Sequence, residues 1–454
     1  MKDELKQESG LSINYKPNKK ETNNNNIDNN LNNYNQKSFI SSINVNNPII
    51  NNYYIIDNKI QNPFLNMNYN INEHMRIPTQ FFTQYQYKFP YSFIGSFNPL
   101  SSLINNQYNS FFIDFSKEIK NNSNNVSNIL NSIKSYREIY INKVKELIIE
   151  TLSKSYNIDL LFYGSYITEL SIESSDVDIL VKFENKEKEQ KNINESSNYQ
   201  IEKIINELVF LFNKNCKNLN IETIKPIYTA SVPVLKIQCD IGKDIPNEIK
   251  DNIFKKFKFE KSEVESIKFD LTFHEIKNDE EKINIPSQLI IEFIKNSLIC
   301  YPEIKPILLV LKRYMQICKL NSSFHGGISS FSLFLLLYAY LKNLKLFINN
   351  FNMNYPMGKL LFDFFEFYSN FNFGIYCINV NSQKPFILLN ELHESGMMIL
   401  DPFTSLNVAK SSFRVDEIKS AFMKAMNIIN KSLYYCFSNK TVNVNILEEI
   451  FKLK

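Results

Sequence analysis

Asp176 and Asp178, one residue apart, lead directly into a run of strand-forming apolar residues, Ile179 to Phe183. No other stretch restricts the fold of this chain as tightly. Side chains alternate across a strand, so both carboxylates take one face while Val177 is sent to the other, into a core. The pattern recurs in Phe269-Asp270-Leu271-Thr272-Phe273, where the apolar residues take one face and Asp270 is left on the opposite one. If these two strands are neighbours, three acids converge. Two carboxylates ~4 Å apart repel by roughly 4 kcal/mol at an effective dielectric of about 20, so the patch demands cations. Oxygen-only ligands suit Mg²⁺ or Mn²⁺ rather than zinc, and two such ions clamp the attacking and leaving oxygens of an in-line phosphoryl transfer. A lone D-x-D usually marks only a solvated strand start. The Gly164-Ser165 turn upstream and the third acid downstream put the catalytic reading level with that plain one.

The surrounding pattern predicts an α+β unit followed by helices. A helical stripe runs over Ile129 to Leu152, strands over 160–164 and 176–183, and a helix over Ile201 to Phe212. Three more strands are expected in IETIKPIYTA, SVPVLKIQCD and SIKFDLTFHE, with polar loops at Glu184–Tyr199 and Ile241–Glu265. Long apolar faces at Leu289–Leu298, Ile304–Cys318, Ser329–Leu346, Gly358–Tyr368 and Val415–Leu433 predict a helical second lobe, with a cleft between the lobes. Residues 1–125 are Asn-rich and lack a sustained period, so disorder is expected there, with aromatics between Phe81 and Phe112 able to dock a short part. The expected divisions are 1–125 (arm), 126–285 (catalytic unit), 286–440 (helical unit) and 441–454 (tail).

Composition narrows the function classes. A net charge of +4 over 454 residues is too small to establish a polyanionic partner, so any basic groove must be local. Six scattered cysteines without C-x-x-C spacing, and only four histidines, argue against structural zinc and fit a reducing compartment. The Ile328–Leu341 run is shorter than the ~20 residues a membrane span needs, and MKDELKQESG lacks the apolar core of a signal peptide. A soluble protein with no membrane partner is expected.

Beyond these residue-level readings, the chain resembles the noncanonical poly(A) polymerases, terminal nucleotidyltransferases of the DNA polymerase β superfamily, and most of all their nuclear RNA-tagging branch. The resemblance covers roughly residues 126 to 435. It rests on YGSYITELSIESSDVDILV, ASVPVLKI with FDLTF, KPILLVLKRYMQICKLNSSFHGGISSFSL, LLFDFFEFYSNFNFGIYCINV and MMILDPFTSLNVAKSSF, in that order. It implies a nucleotidyltransferase palm with a helical PAP-associated domain.

The resemblance also implies roles. Asp176 and Asp178 would bind both metal ions, and Asp270 would help hold the catalytic one and activate the RNA 3′-hydroxyl. Gly164 would permit a close turn, Ser165 and Lys312 would meet the triphosphate, Ser330 would join them, and Phe331 would stack on the base. Asp401 and Asn407 would belong to the base-reading loop. Each has a plainer reading: Ser165 as a helix cap, Lys312 as a solvated helix residue, Phe331 as core, and Asp401 as an ordinary turn. Lys236 has two readings, a cleft-facing residue and, preferred, a structural one, and His274 and His325 receive no role. Two departures stand out. The Asp401–Val408 loop is one residue shorter than is usual in the family, and Asn284–Leu289, where relatives contact the ribose, does not align.

The implied reaction is template-independent adenylation of an RNA 3′ end with ATP and two Mg²⁺ (or Mn²⁺) ions, in RNA processing or decay in the nucleus. Uridylate-adding relatives often carry a His in the D-P…N-V loop; its absence between Asp401 and Val408 leans towards ATP. With no RRM, KH or zinc-knuckle signature after the helical unit, a separate zinc-knuckle RNA-binding protein and an RNA helicase are the implied partners. The alternatives are an RNA uridylyltransferase using the same site, a small-molecule nucleotidyltransferase and a catalytically silent scaffold.

Overall fold

A computed structural model describes residues 99–186, 197–229, 232–256, 261–277, 286–347, 355–389, 396–438 and 445–452. Most of the Asn-rich arm (1–98) and the Ala230–Ser231 part of ASVPVLKI lie outside these residues, as do most of the Glu184–Tyr199 loop and Asn284. The first lobe is a five-stranded sheet. Strand β1 (Tyr156–Tyr163) pairs antiparallel with β2 (Val177–Asn185), and β2 runs parallel to β5 (Ser266–Glu275). Antiparallel β4 (Val234–Asp240) and β3 (Ile221–Ile227) complete the order β1-β2-β5-β4-β3. The alternation seen in the sequence sends Val177, Ile179, Val181, Phe183, Phe269, Leu271, Leu235 and Ile237 into one core, beneath helix α3 (Ser197–Lys214) and the C-terminal half of helix α1 (Pro99–Leu152). The opposite face carries the acids.

Helix α1 runs across the expected boundary at residue 126. Its 54 residues extend about 80 Å at 1.5 Å per residue. Phe112, Phe115 and Ile119 are buried in the core of the helical lobe, and Ile129 to Leu152 in that of the sheet. One apolar stripe serves both cores, and local Asn enrichment on the other faces hides it in composition. Between them Val126 packs with Ile172 and Leu309 in a small third cluster.

The helical lobe comprises α6 (Pro286–Cys300), α7 (Ile304–Ile317), α8 (Ser330–Phe347), α9 (Met357–Asn370) and α10 (Val415–Phe437). Its core is built on aromatic rings, with Tyr314, Phe334, Phe364, Phe365, Tyr368 and Phe422 fully buried. The buried hydroxyls are satisfied: Tyr314 donates to Ala421 O (2.6 Å) and Tyr368 to Leu336 O (2.7 Å). Gly358 lets α9 press against α1, since a Cβ there would strike Phe112 O and the Phe115 ring. Two further expectations are corrected. The polar stretch Ile241–Glu265 contains short helices α4 (Asn247–Lys256) and α5 (Lys261–Glu265), anchored by Ile241, Ile245, Ile253 and Val264. The expected tail holds α11 (Ile446–Phe451), whose Ile446, Leu447 and Ile450 join the helical core. Among the described residues no helix is long and apolar enough to cross a membrane, and all six cysteines are free.

Candidate active site

The sheet register sets the geometry. Asp178 on β2 lies directly opposite Asp270 on parallel β5, and Asp270 lies opposite Lys236 on β4. Directly paired residues share a face, so these side chains form one row, bounded on the β1 side by Tyr163, the partner of Asp178. Asp176, at the mouth of β2, completes the acid group.

The charges are uneven. Burial, and then the Asp270 and Asp176 carboxylates, push Asp178 up to about 7. Asp176 is raised by burial and by Asp270. Burial and the Asp178 charge likewise raise the Tyr163 phenol to about 12, and its hydroxyl pairs with Thr272 Oγ1 at 3.1 Å. Lys236 forms an ion pair with Asp270. A lysine read as structural from the sequence therefore sits in the row as its nearest cation.

The donors are of the kind a divalent cation takes, carboxylate oxygens alone, with Asp176 and Asp178 raised first by burial and then by neighbouring acids. Among the described residues no group of three or more His, Cys, Asp and Glu side chains is arranged so that it could hold a metal ion. Lys236 on Asp270 is in keeping with that, since an ammonium stands at the acid an ion would share.

The turn after β1 is shaped around Asp178. Gly164 has φ +69°, and a Cβ on it would overlap the Asp178 carboxylate. Glycine is therefore required twice here, by conformation and by contact. Ser165 follows at the start of α2 (Gly164–Ile167), its Oγ accepting from Ser171 Oγ at 3.2 Å.

Lys312 is buried on α7 and donates to Leu170 O (2.7 Å) and Ser175 Oγ (3.4 Å). Burial lowers its ammonium to about 8, although Asp178 and Asp176 favour its charge. It thus faces the acids while holding the loop that delivers Asp176. The same loop is gripped by residues that the sequence did not single out. Arg137 donates to the carbonyls of Glu173 (3.4 Å) and Ser175 (3.2 Å), and Arg313 pairs with buried Glu173 and with Glu263 (2.7 Å). Gln316 ties Ser174 to Glu263. For Arg313 and Gln316 the sequence signal is polarity inside an apolar helix, in LKRYMQ.

The remaining candidates are farther along the chain. Ser330 is exposed at the first turn of α8, and half-buried Phe331 lies parallel to Phe334 with centroids 6.3 Å apart. Asp401 Oδ1 accepts from Phe403 N (2.8 Å) and Thr404 N (2.9 Å), and Asn407 bonds Met397 O, Ile399 N and Ala409 N. Both side chains hold the shape of their own loop.

The family model described as "Poly(A) RNA polymerase, mitochondrial-like, central palm domain" matches residues 115–276, starting within α1, and the "Cid1 family poly A polymerase" model matches 356–407. Poly(A) RNA polymerase protein 1 of Saccharomyces cerevisiae is 24% identical over 312 residues, covering 66% of this chain and 40% of that protein. Poly(A) RNA polymerase protein 2 of the same yeast is 23% identical over 288 residues, covering 61% and 41%. The chain thus spans about two fifths of the length of these curated relatives. A mutant of mtPAP in complex with ATPγS shares the fold, with a TM-score of 0.52 at 15% identity over 77% of this chain and 75% of that one.

Proposed function

This chain belongs to the noncanonical poly(A) RNA polymerases, and from that premise we propose that it adds adenylate from ATP to the 3′ end of RNA without a template. The observation that carries the proposal is the direct register of Asp178 with Asp270, two residues after Asp176. Asp176, Asp178 and Asp270 are the groups to hold two Mg²⁺ or Mn²⁺ ions, which when bound supply charge neutralisation at the attacking and leaving oxygens. The protein's own part is positioning. Asp270 orients the RNA 3′-hydroxyl and accepts its hydrogen bond. The Gly164–Ser165 turn and Lys312 face the triphosphate side, where their N–H, hydroxyl and ammonium groups complement the departing phosphates. Ser330 and Phe331 border the nucleotide, and the loop braced by Asp401 and Asn407 reads its base.

In this reading residues 126–285, with the earlier turns of α1, form the catalytic unit, and 286–440 form the helical unit. The resemblance further supports nuclear RNA processing or decay, in company with a zinc-knuckle RNA-binding protein and a helicase. The test is extension of a labelled RNA primer with ATP, UTP, CTP or GTP in turn, with Mg²⁺, beside the Asp176→Ala variant. Extension with ATP by the intact chain and none by the variant is expected. Preference for UTP would make the same site a uridylyltransferase, and equal activity of the variant would remove the three-acid mechanism.

A further inference from the structure

The row that holds the acids does not stop at Lys236. Lys236 is paired in register with Lys225 on edge strand β3, so Asp178, Asp270, Lys236 and Lys225 follow one another across four adjacent strands on one face. Lys225 is exposed, and its Nζ lies 5.9 Å from the centroid of the Phe324 ring in the helical lobe.

Phe324 is 70% exposed. Its turn (Ser323–His325) is tightly built: Gly327 N bonds Ser322 O (2.8 Å), and Ile328 N bonds Leu320 O (2.8 Å). A Cβ on Gly327 would overlap the Leu320 carbonyl. The His325 ring meets Phe324 edge-on at 5.1 Å and is held by Ser322 Oγ at 3.0 Å. A rigid turn thus presents a large ring to solvent beside a cation, outside the core. Cations that track a backbone, with an aromatic ring offered to bases, are the composition of single-strand platforms.

The row also has a polarity. Gly164–Ser165, assigned above to the departing phosphates, follow β1 on one side of Asp178, whereas Asp270, assigned above to the attacking hydroxyl, stands on the β4 side. We infer that the acceptor RNA strand reaches the acids across the β4–β3 edge, with Lys225 and Lys236 at its phosphates and Phe324 stacked on one of its bases. This path rests on the RNA-adenylation reading above.

The test uses the full chain and a fluorescent single-stranded oligoadenylate RNA, with binding measured by anisotropy in EDTA, so that no metal-dependent step enters. Lys225→Ala is expected to weaken binding by roughly threefold to tenfold and to reduce the slope of log affinity against log salt by about 0.7. Phe324→Ala is expected to weaken binding by about tenfold, with Phe324→Tyr restoring it. Both residues are exposed, so their variants should melt with the wild type, and the KM for ATP should stay with it too.

Wild-type affinity and salt slope in both alanine variants would overturn the path and make the Lys225–Phe324 pair a contact for a protein. A raised KM for ATP with unchanged RNA affinity would overturn it by reversing the polarity. If the wild type extends the primer while its variants bind RNA normally, the path alone fails. If the wild type neither extends nor binds RNA, the adenylation reading fails and the path goes with it.

Discussion

Asp178 and Asp401 both stand in segments that the sequence marked as functional, yet the molecule treats them oppositely. Asp401 is buried with its carboxylate answered by two backbone N–H groups of its own loop. Asp178 has no hydrogen-bond donor among the described residues and is crowded by two further acids, which with burial lift it to about 7. A buried acid satisfied by its own backbone is a structural part. A buried acid raised first by burial and then by two neighbouring acids is a candidate for chemistry. The difference separates shaping the pocket from carrying out chemistry, although both residues occur in short family-like motifs.

Removing Asp178 should break this contrast most severely. Asp178→Asn is expected to lower primer extension on the order of 10³-fold, the scale on which preorganised electrostatic groups act. In metal-free buffer the variant should melt no lower than the wild type, because one of three crowded charges is gone. Added Mg²⁺ should raise the melting temperature of the wild type and leave the variant's in place. Asp401→Ala should do the reverse. Two N–H groups lose their acceptor, so denaturant unfolding should show a loss of about 1–3 kcal/mol, with far less damage to extension than in the Asp178 variant, and Asp401→Asn should recover most of the stability.

A smaller effect is expected at Glu366 on α9. Its neighbour Asp363 is answered by Tyr355 (2.6 Å) and Lys359, whereas burial and then Asp363 push Glu366 from 4.5 up to about 7. The folded protein therefore holds that proton more tightly than the unfolded chain does. The contribution of Glu366 to stability is present at low pH and lost as pH rises from about 4.5 to about 7. Glu366→Gln should flatten the dependence of melting temperature on pH over that window, melting near the wild type below it and higher than the wild type above it.

The acid row was legible because strand alternation is a local rule. Val177, Phe269, Leu271 and Phe273 fix which face is buried, and Asp178 and Asp270 follow by elimination. That Lys236 joins them was not legible, since alternation gives its face but only the β4–β5 register gives its neighbour. The grip of Arg137, Arg313 and Glu263 on the Asp176 loop is tertiary in the same sense, linking positions far apart in the chain. The start of α1 was obscured for a different reason. Phe112, Phe115, Ile119, Val126, Ile129 and Ile133 keep one helical stripe across the expected boundary, but the Asn-rich faces between them dilute any average over composition. For Asp401 the letters allowed both a turn-closing carboxylate and a ligand-meeting one, and the backbone bonds it accepts come only with the folded loop.

Helix α1 also bears on how such a chain is inherited. Two lobes that each owned a complete core would be interchangeable cassettes, free to be recombined between genes. Here one rod lends its early aromatic residues to the second lobe and its later aliphatic ones to the first. A segment cut at residue 126 would carry all three acids and still leave a hole in its companion where Phe112 and Phe115 belong. A change on that rod is therefore felt by the acid-bearing sheet and the helical lobe together.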